Sequence, residues 1–205
     1  INIATTKPRY QEYLRQLTTS KLLDLDIEII NKKKFKDLYP IAKNSDIYGG
    51  LYIPQDGQAD PEVLTKVIAT AAKNEGVKIF EKCKLKKILK RKNQIRGVET
   101  NLGTIDCEYI VLCAGMWSRQ IGEAAGVSIP LYPNEHFYMI TEDYKNLPKT
   151  LPTFRDPDKY LYIREYHKKI MIGIFEPNAK NAFKKKGIVP NNFSFGEFKV
   201  DKKYI

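Results

Sequence analysis

A chain of 205 residues with 42% hydrophobic and 11% aromatic content can close one sizeable core, and no apolar run in it approaches the ~20 residues of a membrane helix. Its net charge of +11 is carried by lysine runs, Lys32 to Lys34, Lys84 to Lys92 and Lys184 to Lys186. These lack the interleaved aromatics of a nucleic-acid platform, so they read as solvated faces, and neither nucleic acid nor a membrane is an expected partner. Cys83, Cys107 and Cys113 have no CxxC spacing, which argues against a disulfide framework and a zinc site, suits a reducing compartment, and leaves no metal expected.

Residues 1–25 carry Tyr10, Tyr13, Leu14 and Leu17 at helical spacing and predict a helix with no strand before it. The opening residues are polar and tyrosine-containing, unlike a secretory leader, so a cytoplasmic location is expected. Ile27 to Ile30 reads as a short strand, and Phe35 to Leu38 as one helical turn closed by Pro40. Residues 46–60, with Gly49, Gly50, Pro54 and Gly57, read as a loop around the apolar piece Leu51-Tyr52-Ile53. Asp60-Pro61-Glu62 is a helix start: a capping acid, proline at the first helical position and an acid in the first turn. Leu64, Val67, Ile68 and Ala71 continue it, Gly76 ends it, and Val77 to Phe80 reads as a strand. From Cys83 to Cys107 the apolar residues alternate, with breaks at Lys92-Asn93 and Asn101-Gly103, predicting a three-stranded antiparallel meander.

Tyr109-Ile110-Val111-Leu112-Cys113 is then an apolar run without polar alternation, the pattern of a strand buried on both faces. It enters Ala114-Gly115-Met116-Trp117, a turn with no bulk at its start, and a helical pattern ending near Gly126. In an open α/β sheet, the carboxyl end of a strand is where a ligand approaches the backbone. A buried strand and an ordinary tight turn explain the same residues. Beyond Ile129 the character changes. Leu131-Tyr132, Phe137 to Thr141, Tyr160 to Glu165 and Ile170 to Phe175 read as strands of a separate antiparallel sheet, with His167-Lys168-Lys169 as a turn. The expected division is therefore 1–129, 130–183 and a basic tail 184–205, in the α/β (α+β) class.

Several ordered motifs carry a resemblance: Gly50-Leu51-Tyr52-Ile53-Pro54, Asp56-Gly57, Asp60-Pro61, Cys113 to Trp117 and Glu135-His136-Phe137-Tyr138. Arg155-Asp156-Pro157-Asp158, Tyr160 to Glu165 and Gly173-Ile174-Phe175-Glu176-Pro177-Asn178 complete the set. Together they resemble the dimethylglycine/sarcosine dehydrogenase branch of the FAD-dependent D-amino-acid-oxidase-like superfamily, over most of residues 1–183. The resemblance implies a flavoprotein that takes hydride from the methyl carbon of an N-methylated glycine, leaving an iminium, with an electron-transfer partner or oxygen as the final acceptor. It implies a partial Rossmann-like FAD domain with a β-meander, followed by an antiparallel substrate domain. None of the twelve glycines forms the GxGxxG fingerprint that such proteins use for the pyrophosphate, so the chain resembles an internal piece of a family member. In a eukaryotic cell, the mitochondrial matrix would replace the cytoplasm.

The resemblance carries over residue by residue. Ala114, Gly115, Met116 and Trp117 match the flavin-contacting turn, and Leu85 matches a strand position, usually valine, whose backbone meets the adenine. Close strand–helix packing and an ordinary core leucine are the plain explanations of the same residues. His136 matches a pocket histidine, suited to take the amine's proton because a neutral imidazole titrates near neutrality; a hydrogen-bonded sheet histidine is its structural alternative. Tyr162 matches a catalytic pocket phenol, against core packing as the alternative. Tyr138, two residues from His136, shares its face and is placed with Glu176 as substrate-binding. Arg155 and Arg164 suit a carboxylate or ordinary salt bridges. His167, in its lysine turn, is expected to be merely exposed. Two other readings remain: a different flavoenzyme of the superfamily, of the glycine or D-amino-acid oxidase or glycerol-3-phosphate dehydrogenase type, and a non-enzymatic basic binding module.

Overall fold

The computed structural model describes residues 1–183 and 187–201, so the Lys184 to Lys186 run and the end of the basic tail lie outside the described residues. The chain forms two compact units: residues 1–58 with 136–179 and the chain's last residues from 199, and residues 59–135 with 180–198.

The first unit is built on a seven-stranded sheet. In chain order its strands are β1 (Asn2–Ala4), β2 (Glu28–Ile30) and β3 (Gly49–Tyr52). The later ones are β7 (Phe137–Ile140), β8 (Phe154–Asp156), β9 (Leu161–Tyr166) and β10 (Lys169–Ile174). Their spatial order is β2-β3-β1-β8-β9-β10-β7. Strand β1 pairs antiparallel with β3 and parallel with β8, so the sheet is mixed. The expected division at Ile129 separates β1–β3 from β7–β10 along the chain, but in space they share this sheet. Two expectations at the start are corrected. A strand precedes the first helix, because Ile1, Ile3 and Ala4 are buried against neighbouring strands. The helix α1 (Lys7–Leu22) starts only after Thr6, whose hydroxyl accepts from the Arg9 N–H. The expected loop at 46–60 holds β3, because Gly49 and Gly50 lie where chains crowd. A Cβ on Gly49 would stand 2.6 Å from the Tyr10 ring, and one on Gly50 2.9 Å from the Asn2 carbonyl. These glycines make close approach possible rather than a turn.

Helix α1 covers one face of β1–β3 through Tyr13, Ala4 and Leu51, with Tyr10 at the margin. The Tyr13 hydroxyl donates to the Ile3 carbonyl at 3.1 Å. The opposite face closes on α2 (Lys32–Leu38), capped by the Asn31 side chain, which accepts from the Lys34 N–H. Here Ile1, Ile3, Ile30, Phe35, Tyr39, Ile47, Leu151 and Phe154 form the main core. The Phe35, Tyr39 and Phe154 rings meet pairwise at 5.2 to 6.1 Å, the separation of favourable aromatic pairs. Burial pushes the Tyr13 and Tyr39 phenols up to about 12.

The second unit holds the expected meander: β4 (Leu85–Arg91), β5 (Gln94–Thr100) and β6 (Gly103–Asp106), all antiparallel. Lys92 and Asn93 both have positive φ at the first turn, the geometry of a tight hairpin. Helix α3 (Pro61–Asn74) begins as the sequence reads, with Asp60 Oδ1 accepting from the Glu62 and Val63 N–H groups at 2.9 Å each. None of its residues is buried. Val77 to Phe80 is not a strand. Residues 109–113 correct the central expectation: they are not a strand either, and Tyr109 and Val111 are each 85% exposed. Local apolar content selects an extended conformation, but a ladder requires neighbours, and none pairs here among the described residues. Leu131-Tyr132 likewise stays outside the sheets.

Candidate active site

The two-residue turn His167-Lys168, both with positive φ, sets Tyr166 opposite Lys169 and hence Tyr162 opposite Gly173. Gly173 also faces Tyr138 on β7, and Tyr162 faces Arg155 on β8. Arg155 in turn pairs with Asn2, and Asn2 with Leu51. Directly paired residues share a sheet face. One row therefore runs from Leu51, under α1, through Arg155 and Tyr162 to Gly173 and Tyr138. Beside it lies a second row, Arg164, Met171 and Ile140. The alternate residues Phe154, Leu161 and Ile163 point to the core on the other side. The strands thus sort an apolar face inward and a tyrosine and arginine face outward, as period-2 patterning requires.

On that outward face the aromatic rings are continuous. A side chain on Gly173 would overlap the Tyr162 ring, so the missing side chain seats the phenol. The Tyr162 ring lies 5.1 Å from Phe175, and Phe175 meets the His136 ring edge-on at 5.5 Å. His136 Nδ1 stands 3.7 Å from Glu176 Oε2. The Glu176 side chain is only 12% exposed, and neither of its oxygens has a hydrogen-bond partner among the described residues. The imidazole beside it remains about half exposed (47%). The Arg164 guanidinium spends its contacts on neutral groups: Nε donates to Met171 Sδ at 3.3 Å and an Nη to Gln58 Oε1 at 3.4 Å. The structure therefore brings His136, Tyr162 and Glu176 together through Phe175, and places Tyr138 in the row of Tyr162. Phe175 and Gly173 were not singled out as site residues by sequence. The register fixed by the short His167-Lys168 turn was the signal that could have found Gly173. His167 is exposed, as expected.

The second set lies in the other unit. Gly115 to Trp117 is a 3-10 turn leading into α4 (Ser118–Ala124), with the Trp117 N–H donating to the Ala114 carbonyl. Gly115 has φ +51°, and nothing lies within 4 Å of where its Cβ would be. That open, side-chain-free stretch of backbone fits the approach of a flat cofactor edge. Leu85 and Trp117 line a common cavity of about 320 Å³ with Ile88, Gln120 and Ile121. Gln120 is locked by reciprocal amide bonds with the Val189 backbone, 3.0 and 2.9 Å. The residues expected to hold FAD therefore sit at one open turn and one adjoining cavity. A larger cavity of about 490 Å³, in the first unit, is lined by Tyr52, Pro54, Asp56, Lys149 and Glu165 and by none of the predicted site residues. Among the described residues no helix is long and apolar enough to cross a membrane.

Comparison with known proteins returns the pattern of FAD dependent oxidoreductases (DAO) over residues 1–199. The chain is 34% identical over 89% of its length to the mitochondrial pyruvate dehydrogenase phosphatase regulatory subunit of Mus musculus. It is 32% identical over 97% of its length to the mitochondrial sarcosine dehydrogenase of the same species. It spans about a fifth of each relative, 21% and 22%. Among solved structures, the L-proline dehydrogenase of P. horikoshii superposes with a TM-score of 0.75 at 26% identity, over 85% of this chain and 48% of that one.

Proposed function

The chain belongs to the FAD dependent oxidoreductase family, and from that premise we propose that it carries the substrate face and part of the flavin site of an enzyme oxidising the C–N bond of an N-methylated glycine, dimethylglycine or a sarcosine-like amine. FAD, when bound, supplies the hydride acceptor and passes the electrons to an electron-transfer partner or to oxygen. Ala114, Gly115, Met116 and Trp117 would hold it at the turn that Gly115 leaves open, with Leu85 and the adjoining cavity toward its adenine end.

The substrate arrives as an ammonium ion, whose nitrogen lone pair is tied up in an N–H bond. His136 takes that proton, leaving a neutral amine whose lone pair can form the C=N bond as hydride departs from the methyl carbon. Tyr162, seated over Gly173, supplies a phenol that bonds the substrate carboxylate and an apolar ring that packs its methyl groups. Arg164, whose hydrogen bonds among the described residues are to neutral partners, suits the carboxylate as a bidentate donor. Tyr138 borders the same row, and Glu176 supplies negative charge beside the imidazole. The observation that carries this reading is the unbroken His136–Phe175–Tyr162 aromatic set next to a buried carboxylate. Sarcosine dehydrogenase among the relatives supports the substrate class, and a location in the cytoplasm or mitochondrial matrix goes with it.

A second reading has its own support, because another relative is a regulatory subunit. The two separate on a panel of amines offered anaerobically to the FAD-loaded protein. Bleaching of the flavin by dimethylglycine or sarcosine, and not by glycine, D-alanine or glycerol-3-phosphate, is the expected result. Bleaching by the last three instead would move the assignment to another flavoenzyme of the superfamily. Flavin retained and bleached by none of them would favour the regulatory reading.

A further inference from the structure

Glu176 has a problem that its position in the sequence does not reveal. Both carboxylate oxygens are shut away from solvent, and no donor among the described residues bonds either of them. A carboxylate taken out of water is costly unless a partner compensates it. The closest group able to do so is His136 Nδ1, 3.7 Å from Oε2. The neighbouring cation in sequence, Lys180, is engaged with Glu135 at 3.5 Å. The imidazole also meets the Phe175 ring in a T-shaped pair, so its orientation is set by two contacts.

Building on the proposed function, we infer that Glu176 is a positioning residue that acts through His136, holding the proton on Nδ1 and so leaving Nε2 as the acceptor for the substrate's ammonium proton. Which imidazole nitrogen carries the proton is decided by what the other one faces. A carboxylate facing Nδ1 favours a hydrogen there and keeps the lone pair on Nε2, at the opposite side of a half-exposed ring. When the ammonium proton moves to Nε2, the imidazolium that forms is stabilised by the same carboxylate, the arrangement that aligned carboxylate–histidine pairs share. The 3.7 Å separation exceeds hydrogen-bond length. Catalytic pairs are commonly long in the unliganded state and close when substrate binds.

The test uses the full-length, FAD-loaded enzyme with ¹⁵N-labelled histidine, the His136 signal being identified by its loss in His136→Ala. At a pH where the imidazole is neutral, wild type should show the Nδ1–H tautomer. Glu176→Leu, which removes both charge and acceptor, should shift it to Nε2–H. The same variant should slow anaerobic flavin reduction by dimethylglycine about tenfold, with flavin content and the half-saturating amine concentration unchanged. Glu176→Asp should keep the Nδ1–H tautomer and much of the rate. Nε2–H in wild type, or a tautomer indifferent to Glu176→Leu, would overturn the inference. So would a variant that raises only the half-saturating concentration, which would put Glu176 directly on the amine. Failure of the functional reading shows separately, as a His136→Ala protein that reduces flavin at the wild-type rate.

Discussion

The two units of this chain bury their apolar residues very differently. In the first, Ile1, Ile3, Ile30, Phe35, Tyr39 and Phe154 are each at most 8% exposed, and helices cover both faces of β1–β3. In the second, Val63, Val67 and Ile68 of α3, together with Phe80, Tyr109 and Val111, are all more than half exposed. The part of the tyrosine face that carries Tyr162 thus rests on a closed core, through Phe154, Leu161 and Ile163 on the other side of β8 and β9. The unit that carries the Gly115 turn also holds these apolar side chains, left more than half exposed among the described residues. A substrate surface is fixed by its own sheet, whereas the cofactor turn here is defined by open backbone.

The contrast is sharpest when one apolar side chain of each unit is truncated to alanine. Phe35→Ala should destabilise the first unit by about 3–5 kcal/mol, the cost of a large cavity, read as an earlier denaturant midpoint. Val67→Ala should change stability by less than about 0.5 kcal/mol, because the side chain is 60% exposed. A large loss at Val67 in this chain would mean that α3 is packed after all. Next in size is Gly173→Ala. The added methyl overlaps the Tyr162 ring, so overpacking should cost about 1–3 kcal/mol and slow amine oxidation while flavin content stays the same. A variant with native stability and native turnover would show that Tyr162 needs no such seat.

Helix caps test the same contrast at about 1 kcal/mol. Asn31→Ala removes the cap of a helix that joins the core, so it should lower the global midpoint of the first unit. Asp60→Ala removes two N–H bonds from a helix with no buried residue, so it should appear as faster amide exchange within α3 and leave that midpoint alone. The smallest effect belongs to Tyr39, whose hydroxyl is buried without a hydrogen-bond partner among the described residues. Tyr39→Phe should be neutral or slightly stabilising. The raised phenol also fixes a pH dependence. Unfolded chains lose this proton near 10 while the folded one keeps it to about 12. Folded molecules therefore bind more protons in that window, and stability is full below pH 10 and declines between 10 and 12. Tyr39→Phe should weaken that alkaline decline, as followed by pH titration of the unfolding midpoint.

What the sequence revealed follows the range of the interactions involved. The α3 start, the meander and the β9–β10 turn depend on residues a few positions apart: Asp60-Pro61 and Lys92-Asn93 announce the first two, while the expected turn His167-Lys168-Lys169 is one residue too long, Lys169 being the first residue of β10 opposite Tyr166. Strand β1 and the glycine-rich β3 depend on pairing across some fifty positions, where Gly49 and Gly50 look like a loop until Tyr10 and the Asn2 carbonyl are seen beside them. Residues 109–113 err in the other direction: their composition asks for a ladder that the described chain does not pair. His136, Tyr162 and Glu176 emerge from resemblance rather than from any spacing rule, because β7, β9 and the end of β10 meet only through the sheet. Phe175, the ring between them, has no local mark at all.

The central claim is that the outward face of β7, β9 and β10 handles the amine's proton through His136. Its most direct measurement is the anaerobic rate of flavin reduction by dimethylglycine in the full-length, FAD-loaded enzyme, wild type against His136→Ala, across a pH series. A rate lower by roughly 10²-fold or more, the scale of a positioned proton-handling group, with flavin content unchanged, is the predicted result. Equal rates and superimposable pH profiles would contradict the account and leave His136 a structural residue of the sheet.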